Sequence, residues 1–180
     1  MDFKSVITTL LGHFKKHNVR YGLMGGFALG LWGVGRATVD LDFLVDRADL
    51  AKVDASMIDM GYACKFRSDN VSQYVSPLKI YGEIDFIHAF RQASVEMLQR
   101  AVEMKIFNND LDIRVLIPED IIGLKLQAIT NDPRRKEQDM EDIKSLVIVR
   151  QGRLNWQLIN EYAEILDAAD LLREFRGEEP

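Results

Sequence analysis

The sequence predicts an α+β fold, a small mixed, twisted β-sheet flanked by helices with a helical C-terminal part. Three observations carry that expectation. The first two thirds alternate between helix-period segments and short apolar runs. The last third has only helix-period segments. The 180 residues are 47% hydrophobic and 28% charged, which is enough apolar chain to bury a core without cross-links.

Taken in order, Phe3, Val6, Ile7, Leu10, Leu11 and Phe14 recur at helical spacing and predict a helix over 3–16, stopped by Lys15-Lys16-His17-Asn18. Residues 19–24 read as a strand ending at Gly25-Gly26, and 27–32 as a short helix weakened by Gly30 and Gly33. Residues 41–45 form the next strand and 48–60 a second long helix. Weak alternation over 63–66 and 71–75 predicts a hairpin or irregular strands. A stronger strand spans 79–89, with Ile80, Ile84, Phe86 and Ile87 as core candidates. A helix over 93–102 precedes a hairpin over 103–107 and 111–116, turned at Asn108-Asn109-Asp110. Pro118 opens a helix to about 130, Asn131-Asp132-Pro133 breaks it, and further helices cover 134–149, a segment around Trp156 to Leu166, and a short stretch ending near Phe175. Residues 177–180 are expected to fray. The expected division is 1–117 as an α/β core and 118–180 as a helical annex packed on it.

Composition narrows the function classes. A formal net charge of −5 argues against broad, sequence-independent nucleic-acid binding, which needs phosphate neutralisation. The lone Cys64 rules out an internal disulfide and reads as structural. There is no apolar run of membrane-spanning length and no basic, apolar leader at the start, so the expectation is a cytoplasmic protein with no membrane partner.

The chemistry concentrates in Asp40-Leu41-Asp42. Side chains at i and i+2 of a strand share a face, so two carboxylates repel there unless a cation sits between them. Asp85, in a later strand between apolar neighbours, is the best third ligand, and Glu83, in the same phase, is the alternative. Three carboxylates suit Mg²⁺, a hard cation, and two such ions can orient an attacking hydroxyl and neutralise a leaving pyrophosphate. Gly25-Gly26 would let backbone N–H groups approach phosphate oxygens. Taken alone, a D-x-D pair is a weak signal, because solvent-facing strand residues are often acidic, and Gly-Gly alone is equally the signature of a tight turn.

The order of these features resembles the nucleotidyltransferase superfamily of the DNA polymerase beta type, closest to the AbiEii/AbiGii-like toxin branch. The residues that carry it are Gly25-Gly26, Gly33, then Arg36, Thr38, Asp40 and Asp42, with Asp85 as the later acid, over about residues 19–143. The resemblance implies a nucleotidyltransferase-like fold and Mg²⁺-dependent transfer of a nucleoside monophosphate from an NTP to a hydroxyl acceptor, with pyrophosphate released. It implies that Asp40, Asp42 and Asp85 hold metal, that Gly25 and Gly26 touch phosphates, and that Thr38 supports the metal-binding loop. Phe27 departs from the pattern, which usually has a serine or threonine there.

Arg36 has three readings: a phosphate ligand, a partner of Asp40 or Asp42, or a surface arginine. Lys125 lies among Leu124, Leu126 and Ala128 and either reaches a triphosphate or extends to water; its Lys-Leu-x-Ala context resembles the toxin branch and favours phosphate. Arg135, Asp139, Asp142 and Ile143 fit a second motif of that branch, with Gln138 in place of its lysine. By that likeness Asp139 is a catalytic base or orients a base-side group, and by helical spacing it pairs with Arg135. His13 and His17 read as surface residues, and His88 as strand-end packing or a contact to the acceptor. The alternatives are a non-catalytic nucleotide-binding module on the same scaffold, a structural interaction protein, or a phosphate-ester hydrolase. The acceptor (RNA, protein or small molecule) is open, and the toxin branch implies a cognate antitoxin.

Overall fold

The structure is a computed structural model and describes residues 1–175. The fraying expected at 177–180 lies outside the described residues. The chain divides into two compact units, one formed by residues 1–28 and 37–116, the other by 29–36 with the chain from Ile117 onward.

The first unit holds a seven-stranded mixed sheet. Its strands are β1 (Tyr21–Met24), β2 (Leu41–Asp46), β3 (Ala63–Arg67), β4 (Val71–Val75), β5 (Glu83–Ala89), β6 (Val102–Ile106) and β7 (Leu111–Val115), in the spatial order β3-β4-β5-β2-β1-β7-β6. β2 runs parallel to β5 and β1 parallel to β7, while the remaining neighbours are antiparallel. Helices α1 (Phe3–His17), α3 (Leu50–Asp59) and α4 (Gln92–Arg100) flank the sheet, and the short α2 (Gly25–Leu31) follows β1 directly.

α1 begins where the Asp2 carboxylate accepts from the Ser5 N–H at 3.1 Å, and ends at Asn18, which takes a left-handed φ of 52°. Its buried stripe of Val6, Ile7, Leu10, Leu11 and Phe14 is the one the periodicity predicts, apart from Phe3, which is half-buried. Phe14 meets Phe43 and Phe86 at 6.1 and 6.2 Å between ring centroids; those two are partners in the parallel β2–β5 register and stack at 5.9 Å. Side chains alternate across a sheet, so this aromatic row sends Asp42 and Asp85 to the opposite face.

The strand expected over 79–89 starts only at Glu83: Lys79–Tyr81 is a 3₁₀ turn, and Gly82 breaks the run at φ 66°. Ile80, taken as core, is therefore 59% exposed. The weak 63–66 and 71–75 segments form a regular hairpin with a bulge between Cys64 and Phe66. β3 is an edge strand exposed along its length, so it carries no burial period to read. Cys64 is an exposed free thiol.

The second unit is helical, with α5 (Pro118–Asn131) packed on α6 (Lys136–Val149) and on α7 (Trp156–Ile165). Gly123 permits the α5–α7 approach, since a Cβ there would come within 2.5 Å of the Tyr162 ring. The Tyr162 hydroxyl donates to Asp120 at 2.6 Å, and the Asn155 N–H donates to Glu119 at 2.8 Å, so the acids in the first turn of α5 hold α7. The helix expected from residue 134 opens instead with a 3₁₀ turn, Pro133–Arg135. Residues 29–36 join this unit: the Arg150 guanidinium lies 5.0 Å over the Trp32 ring, and Gly33 (φ 97°) sits against Val149. Among the described residues no helix is long and apolar enough to cross a membrane.

Candidate active site

The site begins as a row across the sheet. β1–β2 pairing sets Met24 beside Asp42, the parallel β2–β5 register sets Asp42 beside Asp85, and β4–β5 pairing sets Asp85 beside Gln73. Paired residues share a face and neighbouring strands lie about 4.8 Å apart, so the two carboxylates are adjacent. The Gly-Gly turn then bends directly over them. Gly25 has φ 67°, and a Cβ on it would collide with the Asp42 carboxylate; a Cβ on Gly26 would lie 2.8 Å from Thr38 Oγ1. The glycines are thus required by close approach to the acidic strand and its lead-in, as well as by the turn.

Asp40 is oriented from its own loop: the Thr38 hydroxyl donates to Asp40 Oδ1 at 2.8 Å. Thr38, expected to support this loop, therefore touches both the glycine turn and the first acid. Asp85 Oδ2 accepts from the Gln73 side-chain amide at 3.0 Å, while Asp85 Oδ1 is buried with no hydrogen-bond partner. Burial pushes the Asp85 carboxyl above the usual carboxylate range; the charges of Asp40 and Glu83 push the same way, and the Gln73 hydrogen bond opposes them. Glu83, the alternative ligand, is engaged by Lys65 at 3.3 Å.

A metal held here would need oxygen donors, and the donor chemistry fits a hard cation: carboxylates on one face, one with a buried, unsatisfied oxygen. The three-carboxylate cage expected of Asp40, Asp42 and Asp85 is nevertheless not closed. Among the described residues no three His, Cys, Asp or Glu side chains form a group that could hold a metal ion. Asp40 is turned to Thr38 and Asp85 to Gln73.

The remaining candidates lie in the helical unit and form a network of their own. Lys125 Nζ donates to Asp139 Oδ1 at 2.7 Å and to Asp142 Oδ2 at 2.6 Å. Arg36 pairs with Asp142, and Arg135 Nε donates to Asp139 Oδ2 at 2.9 Å. Arg36 is thus engaged by Asp142, and the Lys125 amine by two aspartates. Asp139, expected in a catalytic role, is buried between Lys125 and Arg135. A cavity of about 660 Å³ in this unit is lined by Pro133, Lys136, Met140, Lys144 and Leu171 among others, and by none of the acids of the sheet.

Phe27 packs its ring on Phe3 and Phe107, with centroids 5.0 and 6.4 Å away, so the departure from a hydroxyl residue serves a half-buried aromatic cluster. His88 is buried, its Nε2 3.0 Å from Ser72 Oγ and its Nδ1 3.0 Å from the Asp69 carbonyl, which is the packing role. Gln73 is the residue that the sequence reading missed. Its signal, a polar side chain in phase with Val71 and Val75, has meaning only once β4 is in register with β5.

A mixed sheet bearing a glycine turn over paired strand carboxylates, with helices after it, is the nucleotidyltransferase-like fold, and solved structures bear this out. The antibiotic-resistance factor ANT(2'')-Ia superposes with a TM-score of 0.65 at 18% identity, over 99% of this chain and 97% of that one. The lincosamide antibiotic adenylyltransferase LnuA gives 0.57 at 17% identity, over 81% and 97%. An antigenic nucleotidyltransferase-like protein from Paracoccidioides brasiliensis gives 0.55 at 17%, over 96% and 93%. At these identities the likeness is one of fold. The sequence itself matches no protein-family model and no curated protein.

Proposed function

We propose that the chain is a metal-dependent nucleotidyltransferase that moves a nucleoside monophosphate from an NTP to a hydroxyl acceptor. The observation that carries the reading is the in-register pair Asp42 and Asp85 beneath a glycine turn with no room for a Cβ. Asp40, Asp42 and Asp85 would hold Mg²⁺, which supplies charge neutralisation at the triphosphate and a lowered hydroxyl pKa. Gly25 and Gly26 offer backbone donors to phosphate oxygens, and Thr38 steadies Asp40. The acceptor oxygen bonds to the α-phosphorus, the bond to the bridging oxygen breaks, pyrophosphate leaves with that oxygen, and the hydroxyl proton passes to a carboxylate or solvent. Lys125, Arg36 and Asp139 hold the helical unit together in this reading, rather than touching substrate.

A small hydroxylated molecule is the favoured acceptor. The neighbours of matching length include a lincosamide adenylyltransferase and an enzyme solved with adenylyl-2''-tobramycin, of which the chain covers 97% in each case. The narrower placement in the AbiEii/AbiGii-like branch, with an antitoxin partner, has only the sequence motifs behind it. The test is incubation with each α-labelled NTP, Mg²⁺ and panels of aminoglycosides, lincosamides and cell RNA, comparing wild type with Asp42→Asn. Label transfer lost in Asp42→Asn supports the reading; transfer retained at wild-type rate overturns it. A nucleotide-binding module without catalysis is the second reading, favoured by the carboxylates that do not converge. It predicts NTP binding with no pyrophosphate release.

A further inference from the structure

We infer that Gln73 is a positioning residue for Asp85, fixing its carboxylate so that a single oxygen, Oδ1, is presented to the site. The inference deepens the proposed function and rests on it. Three independent features meet at this pair. The antiparallel β4–β5 register makes Gln73 and Asp85 direct partners, which places both side chains on the face that carries Asp42. The Gln73 amide donates to Asp85 Oδ2 at 3.0 Å. Oδ1 of the same carboxylate is buried with no partner.

The chemistry of the donor matters. A lysine or arginine at position 73 would bring a full positive charge beside Asp85 and compete with any cation. An amide is neutral: it occupies one oxygen, fixes the carboxylate plane and leaves the acid's negative charge in place. Lys65, whose charge acts on Asp85, is drawn to Glu83. Asp85 is in consequence a one-oxygen ligand, and a bidentate grip through both of its oxygens would require the Gln73 bond to break.

Mn²⁺ serves as the probe, with its free-ion electron paramagnetic resonance signal reporting binding in the presence of an ATP analogue carrying a methylene between the α and β phosphorus atoms. Gln73→Met keeps the length of the side chain and removes the donor. Gln73→Asn keeps the amide but withdraws it by one methylene, and covers the case in which Gln73→Met fails to fold. Either variant should weaken Mn²⁺ binding by about 10–100-fold, the usual cost of losing a group that orients a ligand. The side-chain amide signal of Gln73 in the ¹⁵N–¹H spectrum of the metal-free protein should also shift in Asp85→Asn, reporting the hydrogen bond between them, while the change in Mn²⁺ affinity reports the positioning role. If Asp85→Asn weakens Mn²⁺ binding while both Gln73 variants bind like wild type, the positioning role is overturned and the parent reading stands. If Asp85→Asn itself binds Mn²⁺ like wild type, the parent reading falls and this inference with it.

Discussion

Replacing Lys125 by methionine should destabilise the helical unit substantially. The Lys125 amine lies 2.7 Å from Asp139 and 2.6 Å from Asp142, with side-chain exposures of 11%, 3% and 7% respectively. Methionine conserves most of the volume, so the loss is electrostatic: two buried carboxylates each lose a charged donor. Removing one partner of a buried pair typically costs about 3–5 kcal/mol, because the remaining charge stays desolvated. Each acid here keeps an arginine, Arg135 on Asp139 and Arg36 on Asp142, which argues for a smaller loss, about 2–4 kcal/mol. For a chain of this length the melting temperature should fall by about 2–4 °C per kcal/mol. Urea denaturation followed by circular dichroism is the assay, with a lower midpoint expected at an unchanged slope. The double variant Lys125→Met/Asp142→Asn should recover part of the loss, since it removes one of the two stranded charges. A midpoint equal to wild type, with NTP binding abolished, would refute the reasoning and put the amine on the substrate instead.

Gly25→Ala combines a left-handed φ with a collision against Asp42; it should cost about 1–3 kcal/mol in thermal or urea unfolding and eliminate label transfer. Asp85→Asn should raise the melting temperature of the metal-free protein while abolishing transfer, because burial disfavours that carboxylate and one of its oxygens has no hydrogen bond; a lower melting temperature would count against the geometry. His88 gives a pH prediction. Burial holds its pKa below the ordinary value of about 6.5, with Arg67 and Arg47 lowering it further and the Asp69 carbonyl and Asp54 opposing. The folded state therefore prefers the neutral ring: its contribution is fully present above about pH 6.5 and is lost as pH falls through the depressed folded value. The urea midpoint of wild type should drop on acidification from pH 7.5 to 5.5 relative to His88→Gln, and parallel pH profiles would exclude the assignment.

Much of the fold was legible because local periodicity follows burial wherever one face of an element is buried. α1 shows its stripe in Phe3 to Phe14, and the turn at Asn108 and Asn109 takes the positive φ expected of asparagine. Edge strand β3 was poorly legible because none of its residues is buried, and the start of β5 was misplaced because Gly82 was not read as a break. At the site, Asp40, Asp42 and Asp85 could be named from type and spacing. The partners that orient them could not, since they are set by strand register and loop closure over long sequence separations.

The sequence by itself determined the class of fold, the two glycines, the three carboxylates and the helical tail, because these depend on residue type and short-range spacing. Only the tertiary structure decided that Gly25 yields space to Asp42, that Gln73 takes one oxygen of Asp85, and that Phe27 packs with Phe3 and Phe107. It also decided that Arg36, Lys125, Asp139 and Asp142 satisfy one another. A buried charge must find an opposite charge or a hydrogen bond, and which one it finds depends on how helices far apart in the chain pack, a quantity that no local pattern of residues encodes.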